Sequence, residues 1–357
     1  MCQLGSGVCL NIKIYATGDG MLIKFTNFVI SALLISLSHA ALAEERIVVS
    51  VPGPKNISYL PIDLIQKLGF DRDEGVKLLL LHTGGGAVAL NHLITRNADF
   101  AVAGLPAAMS LRANGGDVVA VAAVDDAPLF VLMVRISLKT KIKRISDLKG
   151  LVIGVNTSTK NSKTTSQQLA ELLLKSGGVS LDQVRIVPAG QNWEEQSSLI
   201  LSGAADAIMG DEPFASRLLA EKKVFFLANL SQPESVKNIP GTHFLHAALE
   251  TRSDVIANTP QKVEKMARML QRTLKWIASH TPEDLVAKLE MSNADERSAL
   301  LVSLKKYRHA YSIDGKFSTR QLKETEIFFQ SSSEGDSNAQ ALRLETMVDD
   351  RWIGRSH

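Results

Sequence analysis

At 357 residues the chain exceeds what one compact core usually holds, so two lobes are expected. Its composition, 45% hydrophobic and 22% charged, is that of a globular protein, and a formal charge of +3 is small for this length. No run of Lys and Arg interleaved with aromatics occurs, which argues against nucleic acid as a partner.

In chain order, the first informative segment starts at Met21. Lys24 supplies a positive charge, Phe25 to Leu37 form an apolar run, and Ala41-Leu42-Ala43 offers a small-x-small cleavage pattern before Glu44. The run falls short of the ~18 to 20 apolar residues of a spanning helix, so export without stable membrane insertion after cleavage is expected. Residues 1–43 are assigned as a signal peptide, and 1–20, which precede the second Met, as an extension from a wrongly chosen start. Cys2 and Cys9 both lie in that extension, so the expected mature chain has no disulfide, thiolate nucleophile or Cys-based metal site. No Cys follows the apolar run to carry a lipid anchor, which points to a soluble periplasmic protein.

From Glu44 onward, short β-branched runs alternate with helical periodicity, the pattern of α/β layers around a largely parallel sheet. Arg46 to Val51 reads as a strand. A helix follows from about Tyr59, with Leu60, Leu64, Ile65 and Leu68 on one face and Gly69 ending it. Val76 to Leu81 is a continuously apolar strand, expected to be buried on both faces. Gly84-Gly85-Gly86 opens the next helix, and Asp99 to Ala103 is a third strand.

The order then recurs. Leu151 to Val155 is a strand, the polar loop from Asn156 leads into a helix with Leu169, Leu172 and Leu173, and Val184 to Val187 and Asp206 to Met209 are further strands. Asn97 to Val102 and Ala204 to Ile208 occupy equivalent places in the two halves. Ala127 to Ile136 and Thr242 to Leu249 read as extended crossings between them. The lobes expected from this are 44–130 for the first, 131–240 for the second, and 241–330 for a return to the first with C-terminal helices. Val263, Met266, Ala267, Leu270, Leu274 and Ile277 share one helical face there. Residues 331–357 are read as a tail that begins with a flexible segment, Ser331 to Ser337.

Several stretches carry a family likeness. They are Tyr59-Leu60-Pro61 through Asp73-Glu74-Gly75-Val76, Gly85 to Leu90, Asn97 to Gly104, Ile145-Ser146-Asp147-Leu148-Lys149-Gly150 with the strand after it, and Ala205 to Ala215. In them the chain resembles the substrate-binding proteins of nitrate, sulfonate and taurine ABC importers, related to thiamine-pyrimidine precursor-binding proteins. The resemblance covers most of Glu44 to about Asp284. It implies a two-lobed type II periplasmic binding protein with a ligand cleft between the lobes. It further implies a monomer without cofactor or catalysis, which takes a sulfonate, aminopyrimidine or related small molecule to an ABC permease and its ATPase.

Ligands of open parallel sheets sit beyond the carboxyl ends of strands, where helix N-termini present free amides. The strand-end loops therefore give the candidate ligand-binding residues. Asn56, Ser58, Tyr59, Thr83, Gly84, Gly85, Gly86, Gly104 and Leu105 come from one lobe. Asn156, Ser158, Thr159, Asn192, Trp193, Asp211 and Glu212 come from the other. Gly84 to Gly86 can form either an anion-binding nest or a plain tight turn. Trp193 can stack on a planar ligand or pack on a helix face. Asp211 stands where family members often carry Trp; inside the cleft it would repel an anion and favour an amine, aminopyrimidine or polyhydroxyl partner, and otherwise it turns to solvent or pairs with Arg217 or a nearby Lys. Two alternatives differ in class. One is an enzyme resembling the pyridoxal-phosphate-using thiamine-pyrimidine synthases, with Lys55 or Lys160 in the cleft. The other is a ligand-binding input to a sensor.

Overall fold

The computed structural model describes residues 45–356 apart from 238; the expected signal peptide and both cysteines lie outside the described residues. Two five-stranded sheets organise them. The first contains β1 (Glu45–Pro52), β2 (Val76–Thr83), β3 (Phe100–Gly104) and β4 (Val119–Asp125). The second contains β5 (Phe130–Arg135), β6 (Val152–Val155), β7 (Arg185–Pro188), β8 (Ala207–Asp211) and β9 (Val224–Asn229). A further strand, β10 (Ala247–Thr251), returns to the first sheet.

Strand order is β2-β1-β3-β10-β4 in one sheet and β7-β6-β8-β5-β9 in the other, the same pattern twice. In each, the first three strands are parallel and the fourth is antiparallel to both its neighbours. Four of the five strands in each sheet therefore run the same way, as expected of largely parallel sheets, and the crossing strand is the exception. Strands within a lobe run toward the interface, whereas a strand arriving from the other lobe starts at the interface and must run away from it.

The repeat extends to side chains. Asp99 Oδ2 accepts from Val48 N at 2.9 Å while Asp99 N donates to Val48 O at 2.9 Å. Asp206 does the same to Val152, at 2.9 and 2.8 Å. Each pair pins the start of a central strand to its neighbour.

Helices α1 (Leu60–Leu68), α2 (Gly86–Ile94) and α3 (Leu105–Ala113) follow β1, β2 and β3; α4 (Thr165–Ser176) and α5 (Trp193–Ser202) follow β6 and β7. Pro61 is accommodated in the first turn of α1, and Gly69 ends it at φ 77°, a left-handed conformation that costs other residues a Cβ clash. In α6 (Pro260–Ser279), Val263, Met266, Ala267, Leu270, Leu274 and Ile277 are all buried against the first sheet's core. No helix among the described residues is long and apolar enough to cross a membrane.

Three differences from the sequence reading stand out. β2 is an edge strand with Lys77, Leu81 and His82 exposed, so its apolar run is not buried on both faces. The strands β4 and β9 went unassigned; the Val-Ala alternation of β4 carries as much helix as strand propensity. Finally, Ser331 and Ser332 end α7 (Thr319–Ser332) instead of starting a loose segment. Beyond it, Leu344 and Met347 are buried beside Leu322 and Phe329, and Val348 bridges to Ala120. One ring of α7 goes the other way: Phe328 is buried in the second lobe's core, stacked on Phe244 with centroids 4.3 Å apart.

Candidate functional site

The carboxyl ends of β1, β3, β6 and β8 face each other across the interface, and α2, α3 and α4 begin there. The lobes are closed on one another. Ser162 Oγ donates to Ala107 O at 2.8 Å, Gln168 Nε2 to Pro106 O at 3.0 Å, and Lys163 N to Ser110 Oγ at 3.0 Å. Ile57 N donates to Glu212 O at 3.3 Å. Two glycines permit this approach. A Cβ on Gly104 would collide with Thr165 Oγ1, and one on Gly85 would sit 2.8 Å from Thr157 O.

Between the lobes remains a void of about 180 Å³, most of it too narrow for a water molecule. Tyr59, Gly86, Gly104 and Ala107 line it from the first lobe, Phe130, Asn156, Thr164, Thr165, Ser166 and Gln191 from the second and its crossing strand. Thr164 caps α4 by accepting from Gln167 N, so the first amides of that helix border the void.

Asp211, the last residue of β8, is 3% exposed and sits behind this wall. Its Oδ1 accepts from Gln191 Nε2 at 2.8 Å and Asn156 Nδ2 at 3.3 Å; Oδ2 accepts from Gln196 Nε2 at 2.9 Å. Burial pushes its pKa up, while these amides and Asn56 pull it down. Each of the three amides thus points its NH2 end at the Asp211 carboxyl oxygens. The opposite ends, Gln191 Oε1, Gln196 Oε1 and Asn156 Oδ1, have no partner within the chain. Thr165 Oγ1 is likewise unpartnered among the described residues, and Asn56, which leans on Asp211, accepts from Ser58 N through its Oδ1.

On the first-lobe side, His246 Nδ1 lies 3.2 Å from Asp125 Oδ2, and Nε2 has no partner. Its ring meets Phe130 edge-on at 5.0 Å and lies 6.1 Å from Tyr59. The Tyr59 hydroxyl is pushed well above its usual pKa, mainly by burial and then by the charges of Asp211, Asp125 and Glu250. Glu250 is itself raised well above the carboxylate range by burial, with one oxygen accepting from Ala103 N at 3.0 Å and the other unpartnered. Among the described residues, no Lys or Arg lines the void.

Tyr59, Gly86, Gly104 and Asn156 therefore meet at the void, with Asn56 and Asp211 adjoining it. The other candidates are engaged elsewhere. Ser58 and Leu105 are buried in first-lobe packing, with Leu105 N donating to His246 O. Thr83 closes its own turn onto Gly85 O. Gly84 faces the Glu195 carboxylate and Thr157, and Gly85, extended at φ 168°, abuts Thr157, so these two glycines form a contact between lobes, while Gly86 packs on Ala103 and borders the void. Ser158 bonds Gln167, Thr159 turns back on Ser162, and Asn192 caps α5 through Glu195. Glu212 accepts from Ser216 and from Tyr307 of the first lobe. Trp193 is covered by the Arg217 guanidinium at 3.7 Å and lines a separate crevice with Phe214 and Leu300, which corrects its reading as a stacking platform. The expected Asp211–Arg217 alternative also fails, because Arg217 pairs with Glu221.

Gln191, Gln196, Thr165, Phe130 and His246 were missed as site residues. Gln191 lies in a strand-end loop and the Thr-Thr-Ser run at Thr164 marks a helix start, so a signal existed for both. Nothing local marks His246, which reaches the site by the return crossing. The pyridoxal phosphate alternative lacks its amine: Lys55 pairs with Glu296, and Lys160 lines an outer groove. Among the described residues, no cluster of three or more His, Cys, Asp or Glu is arranged to hold a metal.

A family profile described as NMT1/THI5 like matches residues 56–284. Among curated proteins, none matches the sequence. The structure is similar to the alkanesulfonate-binding protein SsuA from Xanthomonas axonopodis pv. citri bound to MOPS, with 15% identity, TM-score 0.66, and 86% of this chain and 100% of that one covered. It is also similar to the periplasmic nitrate-binding protein NrtA from Synechocystis PCC 6803, with 10% identity, TM-score 0.66, and 86% of each chain covered. The desulfurization enzyme DSZB shares the fold as well, with 15% identity, TM-score 0.59, and coverage of 87% and 97%.

Proposed function

The chain belongs to the NMT1/THI5-like family and has the two-lobed type II periplasmic binding protein fold, and on that footing we propose that it is the extracytoplasmic solute-binding component of an ABC importer. It captures a small polar organic molecule between its lobes and yields it to a permease driven by an ATPase, without chemistry on the solute. One observation carries this reading. Three buried polar atoms with no partner among the described residues, Asn156 Oδ1, Thr165 Oγ1 and Gln191 Oε1, belong to residues that line the space between the lobes at strand ends and a helix start, opposite Tyr59, Gly86 and Gly104. Such groups cost stability unless something pairs with them. Lobe closure supplies the second set of contacts to a solute first held by one lobe.

Export to the periplasm rests on the leader read from the sequence, and action as a monomer on the resemblance to the importer proteins. Native mass spectrometry of the protein purified from its own periplasm tests the function directly. A small molecule retained in a one-to-one complex and released unchanged on denaturation is expected. Recovery of a chemically altered product after incubation with that molecule would replace transport by catalysis.

A further inference from the structure

Resting on that reading, we infer that the solute is a small nitrogenous molecule that presents N–H donors and carries no acid group, its donors accepted by Asn156 Oδ1 and Gln191 Oε1. Both residues line the void, both are at most 2% exposed, and both oxygens lack a partner in the chain. A carboxamide oxygen can only accept. Its direction is not free here, because Asp211 holds the NH2 end of each amide on the far side. Nitrate, a sulfonate or a carboxylate has no donor to offer and would leave both oxygens unpaired, however well the amides starting α2 and α4 received it.

The charges point the same way. The Asp211 carboxyl lies directly behind the two amides, and among the described residues no Lys or Arg lines the void. An anion would be desolvated there with no Lys or Arg to offset its charge, while an amidine-type group would meet the two amide acceptors. The helix amides and the Thr165 hydroxyl remain available to a ring nitrogen or carbonyl oxygen of the same molecule. Asp211 is a positioning residue in this scheme: it acts through Asn156 and Gln191.

Isothermal titration of the purified protein, freed of retained solute by dialysis from urea, tests the inference with acetamidinium chloride and sodium methanesulfonate. We expect acetamidinium to bind at least tenfold tighter. In Asp211→Asn, which can hold fewer amides by their NH2 ends, that ratio is expected to narrow or reverse, a change that mere destabilisation would not produce. Gln191→Leu, which removes one acceptor, is expected to weaken acetamidinium about tenfold and leave methanesulfonate unchanged. Equal or tighter binding of methanesulfonate to the unsubstituted protein, or binding of neither probe, overturns the inference. So does a retained natural solute bearing an acid group, even though that result would uphold solute capture itself.

Discussion

The two lobes share a frame and differ at its tips. Asp99 and Asp206 clamp the central strands β3 and β8 in the same way, and five residues further on those strands end at Gly104 and Asp211. At equivalent places, one lobe offers the absence of a side chain and the other a buried carboxylate. Gly104 lets Thr165 of the opposite lobe come close; Asp211 orders the amides around it. The repeated part is what folds each sheet. The part that differs is what gives the gap between them a chemistry.

Breaking this asymmetry at Gly104 should have the largest effect. Gly104→Val places atoms where Thr165 Oγ1 stands and holds the lobes apart, and overpacking of about 1–3 kcal/mol corresponds to a roughly five- to hundredfold loss of solute affinity by titration calorimetry. Adding Thr165→Gly should recover much of it; unchanged affinity in Gly104→Val would show that closure does not pass through this contact.

The next effect lies where the chain first crosses between lobes. Burial, then the charge of Asp125, raises the Asp126 pKa from 3.8 to about 7. The folded state therefore holds this proton more tightly than the unfolded one. The stability it contributes is complete below about pH 4 and is lost as pH rises through 7, by up to roughly 1.4 kcal/mol per pH unit. Asp126→Asn should flatten the melting temperature across that window, and a slope that survives the substitution would assign it to other groups.

Asp99→Ala and Asp206→Ala sharpen the comparison from its symmetric side. Each removes one side-chain acceptor from a backbone N–H, and both should lose a similar 1–2 kcal/mol in denaturant melts, with solute affinity unchanged once folded. A loss confined to one lobe would mean that the likeness is only geometric. The smallest effect is expected at Trp193, which lies outside the void. Trp193→Ala should shift affinity less than about twofold.

What the sequence made legible follows from where the signal resides. Asp99 and Asp206, the apolar face of Val263 to Ile277, and the strands before and after each loop are local patterns, and they appear as read. Tyr59, Gly86, Gly104 and Asn156 reach the void because strand-end position alone brings them there. Trp193 and Gly84 lie in the right loops but face Arg217 and Glu195, and loop membership does not fix where a side chain points. His246 and Phe130 are brought in by the two crossings, so their place depends on how distant segments pack. The unpaired ends of Asn156 and Gln191 could not be read at all, since they exist only once Asp211 has taken the other ends.

The position of Phe328 bears on how the molecule lets go of what it holds. Two connecting strands alone would allow the halves to swing apart like book covers. Helix α7 belongs to the first half by Leu322 and Phe329, yet Phe328 is wedged into the second against Phe244, and Ser332 donates to Gln168 of α4 at 3.1 Å. Opening the lobes would pull an aromatic ring into water, so the α4–α7 seam adds a cost to the open form. Letting go of a solute then means parting the Phe328–Phe244 stack as well as the contacts at the gap, a latch set away from the place where the solute sits.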